Sequence, residues 1–71
     1  MLMEIIFTEH AKDRMKKRKI SREEIIEIIK YPDKVIKKFG KYIVQKNLQR
    51  ANIEVVYEKE KYLKIITVYY I

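Results

Sequence analysis

The chain has 71 residues, with one glycine, one proline, one histidine and no cysteine, and is read as a single domain, residues 1–71, held together by packing. The missing thiols exclude a disulfide framework and thiolate metal sites, and one histidine among scattered carboxylates speaks against a zinc site, so neither metal nor cofactor is expected. A formal net charge of +7 favours a polyanion as partner, with nucleic acid ahead of an anionic membrane.

Met1 to Phe7 is too short for a signal peptide or a membrane span and is followed at once by charge, so a cytoplasmic protein is expected. The surface, rich in lysine and glutamate, leans towards a thermophilic source. Glu4-Ile5-Ile6-Phe7 is a short apolar run that reads as a first strand feeding directly into a helix. That helix spans Thr8 to Arg18, with Thr8 as its cap and Glu9 at its positive end. At about 100° per residue, His10, Arg14 and Arg18 follow one another in a narrow arc beside a thin apolar stripe of Ala11 and Met15. The stripe would hold the three polar side chains at the rim of the core. It is also too thin for a helix lying in a membrane surface. Between Lys12 and Arg22 seven basic residues face one acid, Asp13, leaving a net +6 on this helix and the turn after it.

Ser21-Arg22-Glu23-Glu24 opens a second helix with a capping box. Ile25, Ile26, Ile28 and Ile29 cover its packed face, and Tyr31-Pro32 ends it. From Lys34 the period shifts towards two. Val35 to Phe39 and Tyr42 to Leu48 flank Gly40-Lys41, read as a hairpin turn; Arg50-Ala51-Asn52 and Lys59-Glu60-Lys61 mark two further turns. In the strand Ile53 to Glu58, Ile53, Val55 and Tyr57 would face the helices and Glu54 and Glu58 the solvent. The last strand, Tyr62 to Ile71, is apolar on both faces and should be central or covered by a partner. Strict alternation puts Val68 and Ile66 on one face and Leu63, Ile65, Thr67 and Tyr69 on the other. The expected fold is α+β, in the order βααββββ. Two helices would pack on one face of a twisted, mainly antiparallel sheet of four to five strands.

Cleavage of an RNA phosphodiester needs a base, an acid and cations for the charge that develops on phosphate. His10 is the residue type that titrates near neutrality, and Arg14 and Arg18 supply guanidinium donors suited to phosphate. Tyr69 could add a phenol or a stacking ring. Against this, a histidine near a helix start commonly caps or packs, and arginines four apart are commonly solvated.

Thr8-Glu9-His10-Ala11, Arg14-Met15, Arg18, Ile20-Ser21, Glu24, Tyr31-Pro32-Asp33, Val55-Val56-Tyr57 and Thr67-Val68-Tyr69 closely resemble a family of small prokaryotic domains, domain-of-unknown-function family 4258. The family is itself similar to the RelE, ParE and BrnT toxins of the microbial ribonuclease type. The resemblance covers nearly the whole chain and implies a helix pair on a four- or five-stranded sheet, with metal-independent RNA cleavage by a toxin of a toxin–antitoxin system. His10, Arg14 and Arg18 stand at the polar positions of the H-A-x-x-R-M-x-x-R motif, and Tyr69 at the aromatic position of the last strand. RelE-type enzymes carry their functional residues on late strands, where this chain offers Lys46, Arg50, Lys64, Tyr69 and Tyr70. The expected partners are RNA or a ribosome and an antitoxin protein. Two alternatives stand beside this reading. One is a non-catalytic nucleic-acid-binding module using Lys16, Lys17, Arg22, Lys46 and Arg50. The other is a protein-interaction domain, such as a homodimer through the sheet.

Overall fold

The computed structural model describes residues 4–71; the expectation about a leader, which rests partly on Met1 to Met3, lies outside the described residues. The elements are β1 (Ile5–Phe7), α1 (Glu9–Arg18), α2 (Arg22–Lys30), β2 (Lys34–Lys38), β3 (Lys41–Leu48), β4 (Ala51–Lys59) and β5 (Leu63–Tyr70). They form one five-stranded sheet in the order β1-β5-β4-β3-β2. β1 runs parallel to β5 and every other pairing is antiparallel. The α+β class and the βααββββ order are those expected, and β5 lies inside the sheet.

Both helices start where the caps require. The Thr8 hydroxyl accepts from Ala11 N at 3.0 Å and donates to Ile65 O at 2.9 Å, so one side chain caps α1 and ties it to β5. Ser21 and Glu24 complete the reciprocal capping box of α2, at 3.1 and 2.9 Å. α1 ends on Lys19 in the left-handed region, φ 54°, with Ile20 N returning to Met15 O at 2.9 Å. Ile20 then turns inward and is buried, the hydrophobic contact that accompanies this type of helix end. The core between the layers is built from Phe7, Ala11, Ile25, Ile28, Val44, Ile53, Val55, Ile65 and Val68.

Four expectations need correction. The β2–β3 turn consists of Phe39 and Gly40, both with positive φ, closed by the Lys38–Lys41 pair. It lies one residue before the expected Gly40-Lys41, because a two-residue hairpin wants left-handed backbone at both central positions. The β3–β4 turn is Gln49-Arg50, and Ala51 already belongs to β4. Glu54 is buried, not solvated: its carboxylate accepts from Gln45 Nε2 at 2.7 Å between its cross-strand neighbours Gln45 and Tyr69. Finally, Ile65 lies on the helix side and is fully buried, as is Val68. The pairing shifts between Val56–Thr67 and Tyr57–Ile65, so Ile66 is an extra residue on β5. That β-bulge resets the alternation, so that Ile65 and Val68, three residues apart, both point to the core.

Candidate nucleic-acid interface

α1 lies over β5 and presses Ala11 into the core, with Met15 packed beside it. Its polar side chains therefore divide between rim and solvent. His10 is exposed, the second residue of the helix, and its ring makes no hydrogen bond among the described residues. Arg14 is half-buried, with Nη2 3.2 Å from Asp13 Oδ2, and its buried Nε has no partner among the described residues.

Arg18 is held by the fold. β1 ends opposite Ile65, so the following part of β5 has an unpaired edge beneath α1. The pair Ile71 N to Asn52 O, at 3.0 Å, sets the ladder so that the Val68 carbonyl points to that edge. Arg18 Nη1 donates to it at 2.7 Å. Tyr69, two pairs on from Ile71–Asn52 in direction and opposite Glu54, faces the side of the sheet away from the helices. The structure thus brings His10, Arg14 and Arg18 together on α1 and separates them from Tyr69 by the thickness of the sheet.

Two of the late cations singled out from the sequence, Lys46 in β3 and Arg50 in the turn after it, are also engaged internally. Lys46 donates to Tyr31 O at 2.8 Å, satisfying the carbonyl end of α2, with Asp33 3.8 Å away. Arg50 makes a fork to Glu24, Nε to Oε2 at 2.6 Å and Nη2 to Oε1 at 2.8 Å. Its Nη2 also reaches Lys19 O at 3.1 Å and its Nη1 the Tyr70 hydroxyl at 3.0 Å, while Tyr70 donates to Arg18 O. One guanidinium therefore joins the corner between the helices, the β3–β4 turn and the end of β5. It holds the Glu24 carboxyl at about 2, far below its ordinary 4.5, and the carboxylate in turn raises the arginine further. Periodicity carries no mark of this four-way contact, because its members are distant in sequence.

Among the cations singled out from the sequence as phosphate contacts, those left on the surface lie at the C-terminal end of α1 and the corner after it. Lys12 and Lys17 lie 3.8 Å from Glu9 and 3.3 Å from Asp13, pairs exposed enough for solvent to compete. Lys16 and Lys19 are exposed with no side-chain ion pair among the described residues, and Arg22 is exposed with its guanidinium 5.1 Å above the Phe7 ring. Lys16, Lys17, Lys19 and Arg22 thus form a basic corner on backbone fixed by two caps and the Arg50 fork. Among the described residues no group of three or more His, Cys, Asp or Glu is placed to hold a metal, and no helix is long and apolar enough to cross a membrane.

No curated protein and no solved structure matches the chain. The family model described as a domain of unknown function, DUF4258, matches residues 7–70. That span takes in every element from the last residue of β1 to the last of β5, so the chain belongs to this family.

Proposed function

We propose that this domain binds RNA through the basic corner of α1, with Lys16, Lys17, Lys19 and Arg22 contacting phosphates. The observation that carries the reading is the contrast between these side chains and three other cations that the sequence offered for phosphate, Arg18, Lys46 and Arg50. Arg18, Lys46 and Arg50 donate to the protein itself, whereas the corner points four charges outward from rigid backbone. Binding should weaken with salt, with a log–log slope of about −2 to −3 for three or four phosphate contacts on a single strand. The double substitution Lys16→Glu with Lys17→Glu should reduce affinity at least tenfold and flatten that slope, as read by anisotropy of a labelled RNA. Full affinity in that variant would refute the assignment.

A second reading, metal-independent cleavage of that RNA by a RelE-like toxin, rests on the exposed imidazole of His10 one helical turn from the Arg14 guanidinium. His10 would move the proton and Arg14 would meet the phosphate charge. Incubation with labelled RNA in EDTA tests it. Cleavage lost in a folded His10→Ala variant supports the role, and equal cleavage by both proteins removes it. Growth arrest on expression, relieved by a co-expressed antitoxin, would extend the reading to a toxin–antitoxin pair.

A further inference from the structure

The β2–β3 turn holds a residue that the turn itself does not want. Phe39 has φ 53°, in the left-handed region, and the residue is 88% exposed. Asparagine, aspartate or glycine forms such a turn with less strain, and a bulky side chain with positive φ is a genuine outlier. Gly40, next in the turn, has nothing within 4 Å of where a side chain would start, apart from its own chain neighbours. A strained, exposed aromatic at a loop tip marks a position kept for something other than folding.

The surroundings say what the ring would meet. Lys38 Nζ lies 5.4 Å from the Phe39 ring centroid, whereas Lys37 turns to the helix side of the sheet, over Tyr42. Cross-strand register then carries a row of side chains across the face away from the helices: Lys38 opposite Lys41, Lys41 opposite Glu58, Glu58 opposite Lys64. Three cations and one acid in that row favour an anionic chain passing over the end of the sheet. A lipid surface fits less well, because an interfacial element needs a broad exposed apolar face, whereas the side chains next to the ring are lysines and the apolar row Ile36, Ile43 and Val56 on that face is half-buried. Duplex bases are stacked on each other, so an exposed ring finds its partner in an unpaired base.

We infer that the β2–β3 turn is a stacking finger for single-stranded nucleic acid: the Phe39 ring takes the face of an unpaired base, and Lys38, Lys41 and Lys64 take the neighbouring phosphates. The inference rests on the preceding reading for the class of partner, but not for the surface. Phe39 and Arg50 lie in the turns at opposite ends of β3, about 25 Å apart along an eight-residue strand. One strand of nucleic acid passing from finger to basic corner would touch both.

The test is anisotropy with a short labelled RNA, single-stranded or annealed to its complement, using the full chain and three variants. Phe39→Asn should melt no lower than the wild type, bind the single strand about tenfold more weakly and bind the duplex unchanged. Phe39→Trp should keep single-strand affinity, and its fluorescence should be quenched on binding. Wild-type affinity in Phe39→Asn, or no quenching in a Phe39→Trp protein that binds, overturns the finger. If Lys16→Glu with Lys17→Glu still abolishes binding in that case, the basic corner stands without it. The reverse pattern, with only the Phe39 variants affected, keeps the finger and removes the corner. Absence of RNA binding by the wild type removes both. Vesicles of phosphatidylcholine and phosphatidylserine serve as the control: Phe39-dependent sedimentation with them, and Phe39-independent RNA binding, would reassign the ring to lipid.

Discussion

At the scale of single residues, two side chains separate stability from binding. The Glu24 carboxyl sits at about 2 in the folded protein because Arg50 grips it, against an ordinary 4.5 once that contact is lost. A group whose folded value is depressed stabilises the protein above its unfolded value, and the contribution is lost as pH falls through the folded one. Glu24→Gln should therefore be less stable than the wild type at neutral pH, and the difference should close between about pH 4.5 and about pH 2, as read by thermal melts across that range. A difference that persisted at the acid end would point to packing instead of charge. Lys19 behaves in the opposite sense. Its left-handed backbone suits glycine, so Lys19→Gly should gain up to about 1 kcal/mol in stability. The same change removes a cation from the corner and should weaken RNA binding. A variant that is both more stable and fully competent to bind would dissociate Lys19 from the interface.

At the scale of elements, the bulge in β5 decides which isoleucine supports the core. Ile65→Ala should cost about 2–5 kcal/mol in denaturant unfolding, the range for deleting a fully buried branched side chain. Ile66→Ala should cost clearly less, since Ile66 is only half-buried. A strand in strict alternation would give the reverse ranking. That contrast shows where the sequence is legible. The helix starts are, because Thr8, Ser21 and Glu24 act within one turn of themselves, and the helix-facing side of β4 is, because its pairing with β3 runs unbroken. The bulge is not, because the pairing of β5 with two neighbours, and not its own composition, selects the extra residue. The turn at Phe39 slips by one residue for a related reason: aromatic side chains carry no turn propensity, and only the register of Lys38 with Lys41 reveals it. The candidate site divides in the same way. Lys16, Lys17 and Arg22 are readable from charge density alone, whereas the internal engagements of Arg18, Lys46 and Arg50 depend on partners 15 to 50 residues away.

At the scale of the whole molecule, a chain of this size has about 4–10 kcal/mol of stability in hand, so a change such as Ile65→Ala consumes a large part of it. The net charge of +7 works against compactness. With principal extents of 31 × 25 × 25 Å, the charges repel across the whole body at about 0.01 M salt, where the screening length is about 30 Å, and much less at about 0.15 M, where it is about 8 Å. The melting temperature should rise over that range, while RNA affinity falls. A melting temperature that fell with salt would show that the surface ion pairs outweigh the repulsion.

The packing of α1 onto β5 also orders events in time. Thr8 and Arg18 are held by carbonyls 57 and 50 residues further along the chain, and the strand that carries them leaves a ribosome after every other element of this domain. During synthesis α1 has its cap but not its seat: Ala11 and Met15 find their apolar partners only after residues 63 to 70 have emerged. The basic corner exists as a fixed surface from that moment, and closing so distant a contact is the slow part of folding. A nascent chain interrupted before β5 would display the same lysines on an undocked helix, with the charge of the finished corner and none of its geometry.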